Sequence, residues 1–471
     1  MQVSGLGDSG VANNPDTLTE SIMSAIRSSS FSMQDLDSFS FEDFEPEIDI
    51  NCRFYAEEHL STLRDRLSKS FSVLTLNAQS LHAKIDEIRQ LLYRMSQVHV
   101  YFNVVCIQET WLGDQDDPSL LALNGYDMIC KPKHASAHGG LITYVHETLR
   151  HEIIYSTARN ETWEGLIVKV SQYDSNDVIV GNVYRPPRML NDDIIKFLNS
   201  FESSIKGLDY GDTPCVIAGD FNINLLEVKQ KPLFTEYLEL MLSESLYPAI
   251  RLPTRITDTS ATLIDHIHVK ANGIDYNSVL GGVITSNISD HQPCFTAFPH
   301  GGTIRLKNKQ KWATVTTRNA DFLDKMKQGI RDANMMHLLS DENDVNANYD
   351  IFSSVILDLV ERNSSTKTIK VNKYNTKRSP WITEGIMISL KFRDKLYSKC
   401  KRAQIGSSRH MTLKINLKTY NKILKKLIKT AKASHYSNKF MACKNDGKQT
   451  WKAINELLDK SKSTDCLPDY I

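Results

Sequence analysis

Short apolar runs, each closed by a polar residue or a Gly/Asn turn, recur through residues 71–298. Their length and β-branched content predict strands over 71–77, 103–109, 139–145, 165–171, 177–184, 214–220, 263–269 and 293–298. A different spacing appears at Ile85, Ile88, Leu91, Leu92 and Met95, which predicts a helix over 84–95. Similar patterns predict helices over 194–205 and 234–242. Strands outnumber helices and few βαβ units repeat. A sheet sandwich with helices on its outer faces therefore fits better than a doubly wound sheet.

After about Gly302 the strand pattern stops. Residues 321–333 and 349–363 read as helices. Leu413, Leu417, Tyr420, Leu424, Leu427 and Ala431 then recur at alternating spacings of four and three, one apolar seam on a Lys-coated helix. Ser379-Pro380-Trp381 starts an earlier helix, and Trp451, Ile454, Leu457 and Leu458 mark a last short one. No internal repeat is visible.

Charge changes this picture at both ends. The formal net charge of the 471 residues is zero, but residues 1–58 hold 12 acids against 2 basic residues. Residues 367–448 hold 22 Lys and Arg against 3 acids, a block whose natural partner is a polyanion. The acidic segment, rich in Ser and Gly, reads as disordered. The eight cysteines are scattered without a C-x-x-C pair, several inside apolar runs, as for reduced thiols in a nuclear or cytoplasmic protein. The N-terminus has no signal-peptide pattern, and no apolar run is long enough for a membrane helix. No membrane partner is expected.

Polar residues stand at the ends of most core strands. Asn77 closes the first, Glu109 closes 103–109, Tyr184-Arg185 closes 177–184, and Asp220 with Asn222 closes 214–220. Thr254-Arg255 lies in a turn-rich loop, Asp265-His266 interrupts an apolar strand, and Asp290-His291 precedes the last strand. Converged on one rim, they make a kit for metal-assisted attack on a phosphodiester. Glu109 and Asp290 suit a hard Mg²⁺, which takes few carboxylates and several waters. Asp220 suits a general base beside the Asn222 amide, and His291 oriented by Asp265 suits charge on the non-bridging oxygens. Asn77, Tyr184 and Thr254 suit neutral donors to phosphate, with Arg185 or Arg255 pairing to neighbouring phosphates. Singly, each has a plainer reading. Gly-Asp before Asn is usually a turn, Glu109 a surface carboxylate, Thr254 a loop stabiliser, and His266 and His268 structural histidines. Asp265 is the exception, because an acid in an apolar strand needs a buried partner.

The ordered set LTLNAQSL (74–81), VVCIQETWL (104–112), GNVYRPPR (181–188), VIAGDFN (216–222), PTR (253–255), LIDHI (263–267) and SDHQP (289–293) resembles the endonuclease/exonuclease/phosphatase superfamily. The phrasing is similar to the AP-endonuclease-like domain of LINE-type non-LTR retrotransposons. That resemblance implies a four-layered α/β sandwich of two mixed sheets flanked by helices, followed here by a basic all-α extension. It implies Mg²⁺ dependence, with Mn²⁺ an acceptable replacement, and nicking of DNA to leave a 3′-hydroxyl. It also implies the same roles for Glu109, Asp220, Asn222, Asp265, His291, Asp290, Asn77, Tyr184 and Thr254. One departure is Gln79, where repair enzymes of this superfamily carry an acid that assists the metal.

The domain reading is an acidic disordered segment over 1–66, the catalytic domain over 67–300, a helical linker over 301–365 and a basic helical connector over 366–471. The connector resembles the region before a retroelement reverse transcriptase, and no polymerase acid pair appears before Ile471. The chain thus reads as a truncated or co-opted reading frame. Two other functions share these features. One is a catalytically idle protein holding DNA or RNA through Lys425, Lys426 and Lys429; the other is a phosphomonoesterase of the same fold.

Overall fold

The computed structural model describes residues 14–29, 48, 50–133, 138–158, 161–171, 177–187, 190–208, 211–271, 273–300, 311–318, 321–334, 345–371, 379–443 and 446–457. They fall into two compact units. One comprises residues 1–305 with 375–464, the other 306–374 with 465–471.

In chain order the first unit holds α1 (Pro15–Arg27), β1 (Asn51–Tyr55), α2 (Arg64–Leu67), β2 (Ser70–Asn77) and α3 (Leu81–Gln97). Then come β3 (Val104–Gln108), β4 (Tyr126–Lys131), β5 (Leu141–His146), β6 (Arg150–Ser156), β7 (Glu164–Ser171) and β8 (Val178–Tyr184). α4 (Asn191–Lys206), β9 (Cys215–Asp220), α5 (Pro232–Ser243) and β10 (Tyr247–Pro248) follow. β11 (Arg255–Ile256), β12 (Ala261–Thr262), β13 (Asp265–Lys270), β14 (Leu280–Ile284) and β15 (Cys294–Pro299) complete its strands.

Seven strands form one mixed sheet in the order β1-β14-β15-β2-β3-β5-β4, and six form a second, β10-β13-β9-β8-β7-β6. One apolar cluster joins Val73, Val104 and Cys106 of the first sheet to Val168, Val180 and Ile217 of the second. The outer face of the first sheet carries α3 through Ile85, Ile88, Leu91 and Met95. Phe197, Phe201 and Tyr237 bring α4 and α5 onto the second. This is the expected sandwich of mixed sheets flanked by helices. Strands buried on both faces read as nearly unbroken apolar runs, which is why the central ones were visible in the sequence.

Each sheet has one parallel pair crossed over by a helix: β2–β3 through α3, and β8–β9 through α4. Both pairs end at the same polar level. Asn77 pairs with Gln108, Tyr184 with Asp220, and Asp265 with Asp220. Gly219 is required beside that row, because a Cβ there would lie 1.8 Å from the Val183 carbonyl oxygen.

Several expectations are corrected. Within 1–66, read as disordered, residues 14–29 and 50–66 are folded: β1 lies parallel to β14 at the sheet edge and α1 buries Leu18, Ile22 and Ile26. β6 lacked a strand pattern because it is largely solvent-facing, β4 because Ile129 is its one buried residue, and β14 because Gly281-Gly282 reads as a turn. In fact a Cβ at Gly281 would lie 1.9 Å from the Ala249 carbonyl oxygen.

The second unit was expected to be wholly helical. It pairs β16 (Lys311–Arg318) antiparallel with β17 (Ser364–Val371), besides α6 (Phe322–Asp332) and α7 (Val345–Asn363).

The basic segment belongs to the first unit as α8 (Glu384–Arg402), α9 (Ser408–Ala442) and α10 (Gly447–Leu457). α8 starts at the Thr383 cap, after Ser379-Pro380-Trp381 rather than within it. The α9 seam buries Leu417, Leu424 and Tyr436 and packs Ile428, while Leu427 is exposed. Trp381, Ile386, Met387 and Leu390 join this seam and Tyr93 of α3 in one cluster. Trp451 is exposed, and Leu458 and the Leu457 side chain lie outside the described residues. Among the described residues no helix is long and apolar enough to cross a membrane.

Candidate active site

The strand ends meet where the two sheets face each other. Asn77 Nδ2 donates to Glu109 Oε1 and to Asp220 Oδ2, each at 2.8 Å. Its Oδ1 accepts from the Gln79 backbone N–H, which fixes the orientation of the amide. One side chain thus ties the C-terminal ends of β2, β3 and β9 together. The Trp111 indole N–H donates to Glu109 Oε2, and the Tyr184 phenol lies near enough to feel the Glu109 charge. Asp220 is fully buried, and its Oδ1 accepts from the Asn222 backbone N–H at 3.0 Å.

His291 and Asp265 form the second half. His291 Nδ1 lies 2.9 Å from both Asp265 oxygens, and the Thr254 hydroxyl donates to Asp265 Oδ2 at 2.6 Å. The same Thr254 oxygen accepts from the backbone N–H groups of Ile264 and Asp265. A β-bridge between Arg255 and His291 holds the two segments side by side.

Electrostatics follow from burial. Loss of water pushes the Asp220 carboxyl up to about 7, with the His291 cation opposing and Asp265 and Glu109 reinforcing the rise. Burial works against the His291 cation, yet the Asp265 carboxylate overcomes it and raises His291 to about 9. Burial likewise raises the Tyr184 phenol, so it remains a neutral donor.

Backbone strain is concentrated here. Eight non-glycine residues have positive φ among the described residues, and five lie at this rim: Gln79, Ser80, Glu109, Trp111 and Asn222. Such conformations cost on the order of 1–3 kcal/mol each and persist where surrounding contacts over-determine them. The contacts are visible. Gly139 and Gly140 accept from the backbone N–H groups of Trp111 and Thr110, and buried Glu164 accepts from the Gly140 N–H.

Four expected site residues are placed differently. The Thr254 side chain is buried behind Asp265, its hydroxyl spent on that carboxylate rather than offered to phosphate. Arg185 is buried, donating to the carbonyls of Phe221 and Asn222, so it shapes the loop instead of pairing with a phosphate. Arg255 and Asp290 pair with each other at 2.7 Å, which takes Asp290 up in an ion pair. No contact joins Asp290 to Glu109 among the described residues. His266 and His268 are structural as read, both ring systems bonded to the Tyr237 hydroxyl in the core. Lys425, Lys426 and Lys429 are exposed on α9, outside this cluster.

Sequence reasoning missed the polar bolt between the sheets. Gln108 Nε2 donates to Asn182 Oδ1 at 2.7 Å and to Thr75 Oγ1, and Asn182 Nδ2 donates to the Ile142 carbonyl. The signal was a lone amide inside each of two apolar strands. It also missed Glu164, whose only signal was an acid opening an apolar strand.

The donor chemistry suits a hard divalent cation at Glu109, a half-buried carboxylate within reach of solvent. Asp220, Asp265 and His291 lie within ligand distance of one another, but that trio fits a cation poorly. His291 Nδ1 is spent on Asp265, and a raised imidazole competes as a cation itself.

Two facing mixed sheets with an acid, amide and histidine rim define a layered α/β sandwich with its polar residues gathered at one edge. Residues 74–291 match the model of the Endonuclease/Exonuclease/phosphatase family. Its members are hydrolases, nucleases and phosphatases among them, and are typically dependent on a divalent metal. The chain is similar to the endonuclease domain of TRAS1, a telomere-specific non-LTR retrotransposon, at 14% identity and a TM-score of 0.37 over 49% of this chain and 98% of that one. It is similar to a mannosyl-6-phosphatase from Bacteroides thetaiotaomicron at 15% identity and a TM-score of 0.37, over 48% and 98%. It is also similar to truncated Caenorhabditis elegans TDP2 at 14% and 0.36, over 50% and 99%. No curated protein matches the sequence.

Proposed function

We propose that the domain is a Mg²⁺-dependent phosphodiester hydrolase that nicks DNA and leaves a 3′-hydroxyl. The observation that carries this reading is the Asn77 amide, which holds Glu109 and Asp220 on one side chain between the sheets. Glu109 would hold the cation, which when bound supplies charge stabilisation to the phosphoryl and leaving oxygens. Asp220 takes the proton of the attacking water; a carboxyl raised to about 7 suits a base working near neutral pH. The water oxygen bonds to phosphorus as the bond to the 3′-oxygen breaks. His291, held cationic by Asp265, bonds a non-bridging oxygen, and Tyr184 donates beside it. Asn222 orients the water-side loop, its Nδ2 anchored on the Arg185 carbonyl at 2.8 Å. Asp290 is a weaker metal candidate than Glu109 because Arg255 already neutralises it. Gln79 in place of an acid leaves that corner uncharged.

The YRPP and TSATLIDHI wording supports a retroelement origin for the domain, as does the resemblance of 379–458 to a retroelement connector. Supercoiled plasmid incubated with the protein and Mg²⁺ should convert to the nicked form, and EDTA should stop it. Conversion of a small phosphate monoester in place of plasmid would favour the phosphomonoesterase reading.

A second reading has its own observation. α9 presents Lys425, Lys426 and Lys429 to solvent, within a 367–448 block that holds 19 further Lys and Arg residues against 3 acids. We infer that this face holds DNA or RNA backbone. Changing the three lysines to Gln should flatten the log–log salt dependence of DNA retention by about 2–3. An unchanged slope would contradict it.

A further inference from the structure

The loop carrying His291 is closed by its neighbour Gln292. The Gln292 side chain is buried, and its Oε1 accepts from the Ser286 backbone N–H at 2.9 Å. Its backbone N–H donates to the Thr254 carbonyl at 2.8 Å. One residue therefore fastens the 286–292 turn to the segment that carries Thr254, the partner of Asp265. The remaining polar atom, Nε2, donates to the Tyr397 hydroxyl at 2.7 Å. Tyr397 lies on α8, more than a hundred residues along the chain and inside the basic extension.

α8 grips the other flank of the site as well. Lys401 Nζ donates to the Ile256 carbonyl at 2.6 Å, with its ammonium 5.3 Å from the Tyr397 ring centre. Ile256 follows Arg255, whose β-bridge runs to His291. The helix is itself seated by buried charge: Asp394 bridges Arg94 of α3 and Arg393, and Arg393 also pairs with Glu87 of α3. A seat this specific does not suit a helix that merely tethers another domain.

We infer that α8 is a built-in buttress of the histidine loop, and that Tyr397, acting through Gln292, is a positioning residue for His291. The inference rests on the phosphodiester-hydrolase reading for its kinetic arm only. Gln292 cannot relax toward Tyr397's place without releasing Ser286 or Thr254, so loss of the hydroxyl is felt one residue away, at the imidazole. The Tyr397 hydroxyl touches neither Asp265 nor His291, so its effect falls on the imidazole's aim rather than on substrate affinity.

The test uses the full chain with Tyr397→Phe, Gln292→Met and the double variant. Tyr397→Phe keeps the ring in its buried seat. Each single variant should lower kcat about tenfold with KM within about twofold, as expected for a misaimed group. The double variant should be no slower than the slower single, because Gln292→Met already removes the Tyr397 bond along with the Ser286 bond. The low-field proton resonance of His291 Nδ1–H should move in both singles and vanish in His291→Ala. A Tyr397→Phe kcat within about twofold of wild type, a loss confined to KM, or single losses that multiply in the double variant would each overturn the inference. If the wild type does not nick DNA, the hydrolase reading fails by itself. The imidazole resonance then decides alone, and an unmoved signal in Tyr397→Phe overturns the buttress.

Discussion

Asp220→Asn lowers the rate of plasmid nicking by roughly 10²–10⁴-fold, the range set by loss of a positioned general base. The substitution keeps the shape and the Asn77 contact region but removes the proton acceptor. The wild-type pH profile carries the same residue. Asp220 serves as a base only when ionised, so the rate rises as pH climbs through about 7 and then levels. His291 serves as a cation only below about 9, so the rate falls again above that value. Loading with Mg²⁺ moves the acid limb downward, because a nearby cation favours the carboxylate. In Asp220→Asn the acid limb should be absent from the residual rate. A persistent limb near 7 would assign the base elsewhere.

Asp394→Ala destabilises the first unit by about 3 kcal/mol, the lower end expected when one partner of a buried ion pair is removed. Asp394 sits between Arg94 and Arg393, whose side chains are 4% and 5% exposed. Without it, two buried guanidiniums face each other. Glu57 and Glu87 still reach one arginine each, which is why the cost stays at the lower end. Urea unfolding measures it as a fall in midpoint at constant m. A change below about 1 kcal/mol would mean that α8 is held by the Trp381 cluster alone, with the charges solvated.

The central strands and the rim were legible because burial on both faces writes a long apolar run, and a polar residue at its end is conspicuous. Asn77, Glu109, Tyr184 and Asp220 were found that way and Asp265 as an acid inside an apolar strand, and the structure brings them together. Edge strands were not legible. β1, β4 and β6 each leave much of their surface to solvent, so alternation fades.

The direction of a side chain was also invisible. Arg185 and Thr254 follow the same strand-end pattern as Tyr184, but a turn of the backbone points them into the protein, where they serve the Phe221 carbonyl and Asp265. The misreading of residues 50–66 has a compositional cause: a real strand and helical turns follow an acidic, Ser-rich stretch and share its average. Gln292 and Tyr397 lay beyond reach for another reason, since a single hydrogen bond across 105 residues leaves no pattern in either segment.

The most direct test of the account is the chemistry at the nick. Plasmid nicked by the wild-type protein with Mg²⁺ should be extended by a DNA polymerase without prior phosphatase treatment, and Asp220→Asn should yield almost no extendable ends. Nicks that need a phosphatase before extension, or equal yields from both proteins, would contradict a water attack assisted by Asp220 that leaves a 3′-hydroxyl.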